Sequence, residues 1–126
     1  MKKIVLFILL VPFASFSQAR LGSTKSEIYT EFIDLAPRVS LAPDGTEYLV
    51  LNIEEYMVLH YFDKADMCIT SVIYPKTVAA QNALDDSYNS KYVCIEPGLW
   101  RMYISDESYD EVKRISVDQL TYFVWD

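Results

Sequence analysis

The residues able to do chemistry are few, and they are scattered. His60 is the only histidine, so it is the one side chain whose ordinary titration falls near neutrality and the natural candidate for a general base. It sits between Leu59 and Tyr61 in an apolar run. With Val58 and Phe62 it shares one strand face by the two-residue repeat, the setting of a half-buried strand histidine. An acid such as Glu54 or Glu55 would have to reach the same point for hydrolysis. Asp85 and Asp86 are adjacent, and neighbours on a helix point about 100° apart, so they read as a solvated face and not as paired carboxylates. Asp44, Asp63 and Asp66 lie in turns but lack the spaced oxygen ligands of a calcium loop. Two cysteines and one histidine make no zinc motif. No catalytic residue, metal or cofactor is therefore expected.

Cys68 and Cys94 are 26 positions apart on two expected strands. In an oxidising compartment they either form a disulfide, worth about 2–4 kcal/mol, or remain separate thiols. Aromatic residues are the compositional excess: ten tyrosines, six phenylalanines and two tryptophans in 126 residues. Tyr56 and Tyr61 fall on opposite faces of one strand, and Trp100 and Tyr122 lie on later strands. These four are the candidate binding residues, because Tyr and Trp supply much of the contact area at protein interfaces and flat rings also hold sugars.

The segment ahead of these residues speaks to compartment. Met1-Lys2-Lys3 is a short basic start, Ile4 to Val11 is unbroken apolar chain, and Ser17-Gln18-Ala19 offers small residues where a leader peptidase reads. Residues 1–19 are expected to be a signal peptide and 20–126 a single domain, with cleavage after Ser17 as the near alternative. The apolar run is shorter than the ~20 residues that span a bilayer, and no longer one follows, so no membrane anchor is expected. Removal of Lys2 and Lys3 leaves nine basic against eighteen acidic residues, a formal charge of −9. No basic cluster exceeds Lys113-Arg114, which argues against nucleic acid as a partner.

Thr24 caps a helix over about residues 24–35, with Glu27 completing a capping box and Pro37 as the stop. Strands are expected over Glu47–Ile53, Tyr56–Phe62 and Met67–Tyr74. A second helix capped by Thr77 follows, Val78 to about Tyr88. Four more strands occupy Lys91–Glu96, Leu99–Ser105, Glu111–Val117 and Leu120–Trp125, with Pro97-Gly98 as a turn. This is an α+β chain: two helices packed on an antiparallel sheet of about seven strands, in the order α-β-β-β-α-β-β-β-β.

Gly22-x-Thr24-x-x-Glu27-Ile28 resembles the helix start G-x-[ST]-x-x-[EDQ]-[IV] of small exported α/β domains. Examples are the outer-membrane assembly lipoproteins of the SmpA/BamE type and the β-lactamase inhibitor proteins. Those families pack helices on an antiparallel sheet and bind other proteins, and the resemblance implies the same here over about fifteen residues. The chain departs from them at Leu35-Ala36-Pro37, where they carry a Leu-Gly-x-Pro close, and it has no lipidated cysteine. No inhibitory or assembly residue carries over. As a whole the chain is similar to small exported α+β proteins of Bacteroidota, with a Lys-Lys start, a Phe-Ser-Gln leader end and a Tyr-rich domain, which implies a compartment and no activity.

Three functions follow as expectations. The first is a non-catalytic protein-binding module in the periplasm or secreted beyond it, its partner another envelope or extracellular protein. The second is a binder of a small apolar or carbohydrate ligand in a pocket between helix and sheet. The third is a small secreted hydrolase built on His60.

Overall fold

The computed structural model describes residues 19–126. The expected signal peptide lies outside the described residues except for Ala19. Among the described residues no helix is long and apolar enough to cross a membrane.

Thr24 opens the first helix, α1 (Lys25–Glu31). Its hydroxyl accepts from the Glu27 backbone N–H at 3.1 Å, and the Glu27 carboxylate accepts from the Thr24 N–H at 2.8 Å. The capping box is complete and satisfies two helix-end donors. The helix is shorter than its periodicity suggested. It ends at Glu31 and passes through a 3-10 turn, Ile33–Leu35, that closes on Ala36 in the left-handed region. Only Ile28 and Phe32 are buried, so two anchors hold a short helix down.

Eight strands follow, one more than expected. They are β1 (Arg38–Leu41), β2 (Glu47–Ile53), β3 (Tyr56–Phe62) and β4 (Cys68–Pro75), then, after helix α2 (Val78–Lys91), β5 (Val93–Glu96), β6 (Leu99–Tyr103), β7 (Tyr109–Val117) and β8 (Leu120–Trp125). The order along the chain is therefore α-β-β-β-β-α-β-β-β-β. The missed strand, β1, pairs with β2 across the Asp44-Gly45 turn. It is a four-residue edge strand with all but Ser40 exposed, so it carries no buried alternation to read.

All strands are antiparallel in one sheet, ordered β1-β2-β3-β4-β8-β7-β6-β5. Each half is a meander, and Ser71–Ile73 of β4 joins Phe123–Trp125 of β8 to fuse them. At the β5–β6 turn Gly98 adopts φ 86°, a conformation that costs a side chain strain.

One sheet face carries the core. Leu49, Leu51, Val58, Phe62, Ile73, Val112, Phe123 and Trp125 meet Ile28 of α1, Phe32 just after it, and Leu84 and Tyr88 of α2. Tyr88 is the hub. Its ring meets Trp100, Phe123 and Trp125 edge-on at 5.4, 5.5 and 5.6 Å, and its hydroxyl accepts the Trp125 indole N–H at 3.1 Å. Burial pushes that hydroxyl far above the ordinary tyrosine range. These rings fill the space between α2 and the sheet.

Two expectations about side chains are corrected here. Asp85 is not solvated: its side chain is only 18% exposed and pairs with Arg114 of β7 at 2.9 Å. Cys68 and Cys94 form no disulfide; both are free, the first buried and the second exposed. Strands β8, β7 and β6 lie between theirs, a separation of roughly 19 Å at ~4.8 Å per strand, and a bridge requires Cα atoms within about 7 Å.

Candidate functional site

Because alternate residues of a strand face opposite ways, the neighbours of the core residues form a second sheet face. Both helices lie on the core side, so among the described residues no helix covers it. Register lines up a row across this face: Arg38 opposite Val50, then Leu59, Val72, Val124, Lys113 and Leu99, each directly across from the next. Val50 and Val72 are buried by their neighbours, and Leu59 and Val124 are half-buried.

Two pairs of tyrosines flank the row. Tyr48 of β2 stands directly opposite Tyr61 of β3, their rings stacked at 5.0 Å. Tyr74 of β4 and Tyr122 of β8 stack at 5.2 Å across the seam between the two meanders. Partial burial, and after it the neighbouring tyrosines, push the Tyr61 and Tyr74 hydroxyls above their ordinary range. They stay protonated at neutral pH and can donate as well as accept. The tyrosine pairs and the row from Arg38 to Leu99 include no acidic side chain, in a chain with eighteen; the charged members there are Arg38 and Lys113, and Glu96 of β5, opposite Leu99, ends the row. At the β6–β7 corner Arg101 lies over the Tyr109 ring at 4.3 Å and pairs with Glu111 at 3.0 Å, while Tyr103 meets Tyr109 at 5.4 Å.

Of the four residues singled out in the sequence, Tyr61 and Tyr122 are on this face. Tyr56 is not: its hydroxyl donates to the Ala80 carbonyl of α2 at 3.3 Å, on the helix side. Trp100 is a correction. It is 1% exposed, packed on Tyr88, with its indole N–H donating to Asn89 Oδ1 at 2.8 Å, so it offers no surface. Sequence reasoning missed Tyr48 and Tyr74. The first was available, since a two-residue turn at Glu54-Glu55 sets the β2–β3 register and puts Tyr48 across from Tyr61. The second depends on the β4–β8 pairing, which no local signal gives.

His60 belongs to a different place, a buried polar cluster under β3 and β4. Its Nδ1 is 2.7 Å from Ser71 Oγ. Ser71 Oγ also accepts the Arg20 backbone N–H at 3.3 Å. Cys68 Sγ lies 3.6 Å from Ser71 Oγ and 3.8 Å from Nδ1. His60 is 1% exposed and Ser71 fully buried. Burial, with the Arg20 charge adding to it, pushes His60 down to about 3, and burial pushes the Cys68 thiol up. The ring is neutral, the thiol is protonated, and no substrate reaches either. Glu54 and Glu55 sit at the β2–β3 turn, about 16 Å along β3 from His60, so the acid–histidine pair of the hydrolase reading is not assembled.

Asp63 Oδ1 accepts from the backbone N–H groups of Ala65 and Met67, which spends the carboxylate on its own turn. Among the described residues no three His, Cys, Asp or Glu side chains gather to hold a metal ion. No protein-family model, no curated protein and no solved structure matches this chain.

Proposed function

We propose that the chain is exported and acts as a non-catalytic protein-binding module whose contact surface is the open sheet face around Tyr48, Tyr61, Tyr74 and Tyr122. The observation that carries this reading is charge segregation. A row that meets no acid until Glu96 on the edge strand β5 crosses the sheet of a chain whose exported form would bear −9, flanked by four half-buried tyrosines and left without a helix over it. Apolar surface with aromatic residues and few acids is the composition of the core of a protein interface. The acidic helices and loops then stay in solvent and keep the domain soluble.

The ligand-binding alternative has less behind it. The space between α2 and the sheet is occupied by Tyr88, Trp100, Phe123 and Trp125. A small apolar or carbohydrate ligand would have to lie on the open face against the outer sides of the stacked rings.

The test uses the exported domain and a variant carrying Tyr61→Lys and Tyr122→Lys, both checked for unchanged circular dichroism. Each is offered to the envelope of the producing cell under mild crosslinking. A partner retained by the native domain and lost by the variant supports the reading. No partner, or equal retention by both proteins, removes the open face from the proposal.

A further inference from the structure

We propose that two copies of this chain join edge to edge, β1 against β1, as a symmetric dimer. The proposal goes beyond the open-face reading, because it concerns the rim and helix side of the sheet and takes a second copy as the occupant.

β1 ends the sheet on one side, and among the described residues nothing pairs with its outer edge. Register decides which backbone groups face outward there. The Ala42 N–H points inward, to the Thr46 carbonyl at 2.8 Å. Alternation along an antiparallel pair then turns the backbone groups of Ser40 and Arg38 toward β2, and those of Val39 and Leu41 away from it. The next outward positions are Pro37 and Pro43, which have no N–H to offer. The edge thus carries two donors, bounded by a proline at each end. Val39-Ser40-Leu41 lacks the inward charge or interior proline with which natural edges avoid pairing. The opposite edge, β5, has both a bulge and Glu96.

One two-fold register suits this edge. With Ser40 opposite Ser40 of the second copy, Val39 stands opposite Leu41 and Leu41 opposite Val39. Four main-chain hydrogen bonds then form inside the strands, and Pro37 meets Pro43 at both ends, where the ladder stops. A slip of two residues carries Leu41 out to Pro37, or Val39 out to Pro43, beyond the strand ends. A slip of one sets outward groups against inward ones.

The side chains agree with the backbone. Val39 lies opposite the core residue Leu49, so Val39 and Leu41 point to the helix side, where they are 49% and 66% exposed. Ile33 and Leu35, on the 3-10 turn that leads into β1, are exposed as well. Together these four leave roughly 400 Å² of apolar surface in water, near the apolar share of the ~800 Å² that each member of a stable interface covers. Arg38 comes opposite Ala42 of the second copy, at the foot of the turn that holds Asp44, so each cation approaches an acid. The two-fold axis stands perpendicular to the sheet. Both tyrosine surfaces therefore end on one side and all helices on the other.

Two measurements test this. The full chain is expressed in its producing cell, and the recovered protein is sedimented at about 100 µM, where a micromolar interface is filled. A two-chain species is expected. Leu41→Lys, checked by circular dichroism, should raise its dissociation constant at least about tenfold. Leu120→Lys, also on an exposed apolar residue but at the β7–β8 turn, should leave it unchanged. Register is read separately, in a Cys94→Ser background with oxidised glutathione. Ser40→Cys should join the copies, each new disulfide releasing two glutathione thiols, because facing residues of a non-hydrogen-bonded pair lie about 4.5 Å apart. Arg38→Cys should not, because its two positions are ~14 Å apart. A single-chain species at that concentration overturns the proposal. So does a dissociation constant unmoved by Leu41→Lys, or equal crosslinking at positions 38 and 40. Should Leu41→Lys fail to fold, crosslinking at 40 and not 38 supports the dimer and its absence overturns it.

Discussion

Acidification should weaken this fold through one residue, and the size of the effect follows from where His60 sits. The ring is enclosed, its Nδ1 hydrogen-bonded with the Ser71 hydroxyl at 2.7 Å. Its titration is pushed down from 6.5 to about 3. A base that titrates lower in the fold than in the unfolded chain stabilises the fold fully above its unfolded value. That contribution drains away as the pH falls through 6.5 toward 3. At pH 5 the unfolded histidine is roughly thirtyfold more often charged than neutral while the folded one is neutral, a loss of about 2 kcal/mol relative to pH 8. Urea unfolding of the native domain and of His60→Gln, at both pH values, isolates the term. Gln stays neutral throughout and can still hydrogen-bond with Ser71. Glu27 and Asp44, held low by hydrogen bonds to Thr24 and Thr46, also respond to acid, but equally in both proteins. The native domain should lose about 2 kcal/mol more than the variant, or about 8 °C in melting temperature. Parallel losses in the two proteins would refute the picture of a neutral, sealed histidine.

Two further outcomes are expected. In native protein without reductant, an aromatic disulfide reagent should titrate one thiol, Cys94, and a second only after denaturation, because Cys68 is 2% exposed; zero thiols in the denatured protein would overturn the separation of the two strands. Arg114→Leu should cost about 3 kcal/mol by urea unfolding, since Asp85 Oδ1 is already buried without a hydrogen-bond partner and would lose its counter-charge. Adding Asp85→Asn should recover much of that loss, and an unchanged or larger loss would show that the pair is only a surface contact.

What could be read from the sequence was local. Thr24 with Glu27, Thr77, the polar break after Phe62 and Pro97-Gly98 declare themselves within a few residues, and the element ends near them fall close to where they were expected. The α+β class followed from those ends. The failures needed distance. The Asp44-Gly45 turn was visible, yet β1 before it has almost no buried side chain, so its apolar pattern says little. Trp100 was correctly put on a strand, but which face it takes depends on its pairing with Val112. Asp85 was judged from Asp86 beside it, whereas its environment is decided by Arg114 on another strand. For the same reason Tyr74 was invisible as part of the tyrosine face: it meets Tyr122 only because two meanders join.

That junction also sets a rule of timing. Ser71–Ile73 occupies the middle of the sheet, and its neighbour on one side, Phe123–Trp125, comes about fifty residues later. A chain emerging from a narrow channel with its amino end leading cannot close the seam, or give Tyr88 the Trp125 indole, until residue 125 has come through. Until then the first meander has an unpaired inner edge and an incomplete core. The seam and the Tyr88–Trp125 contact are therefore both completed by the last strand of the chain.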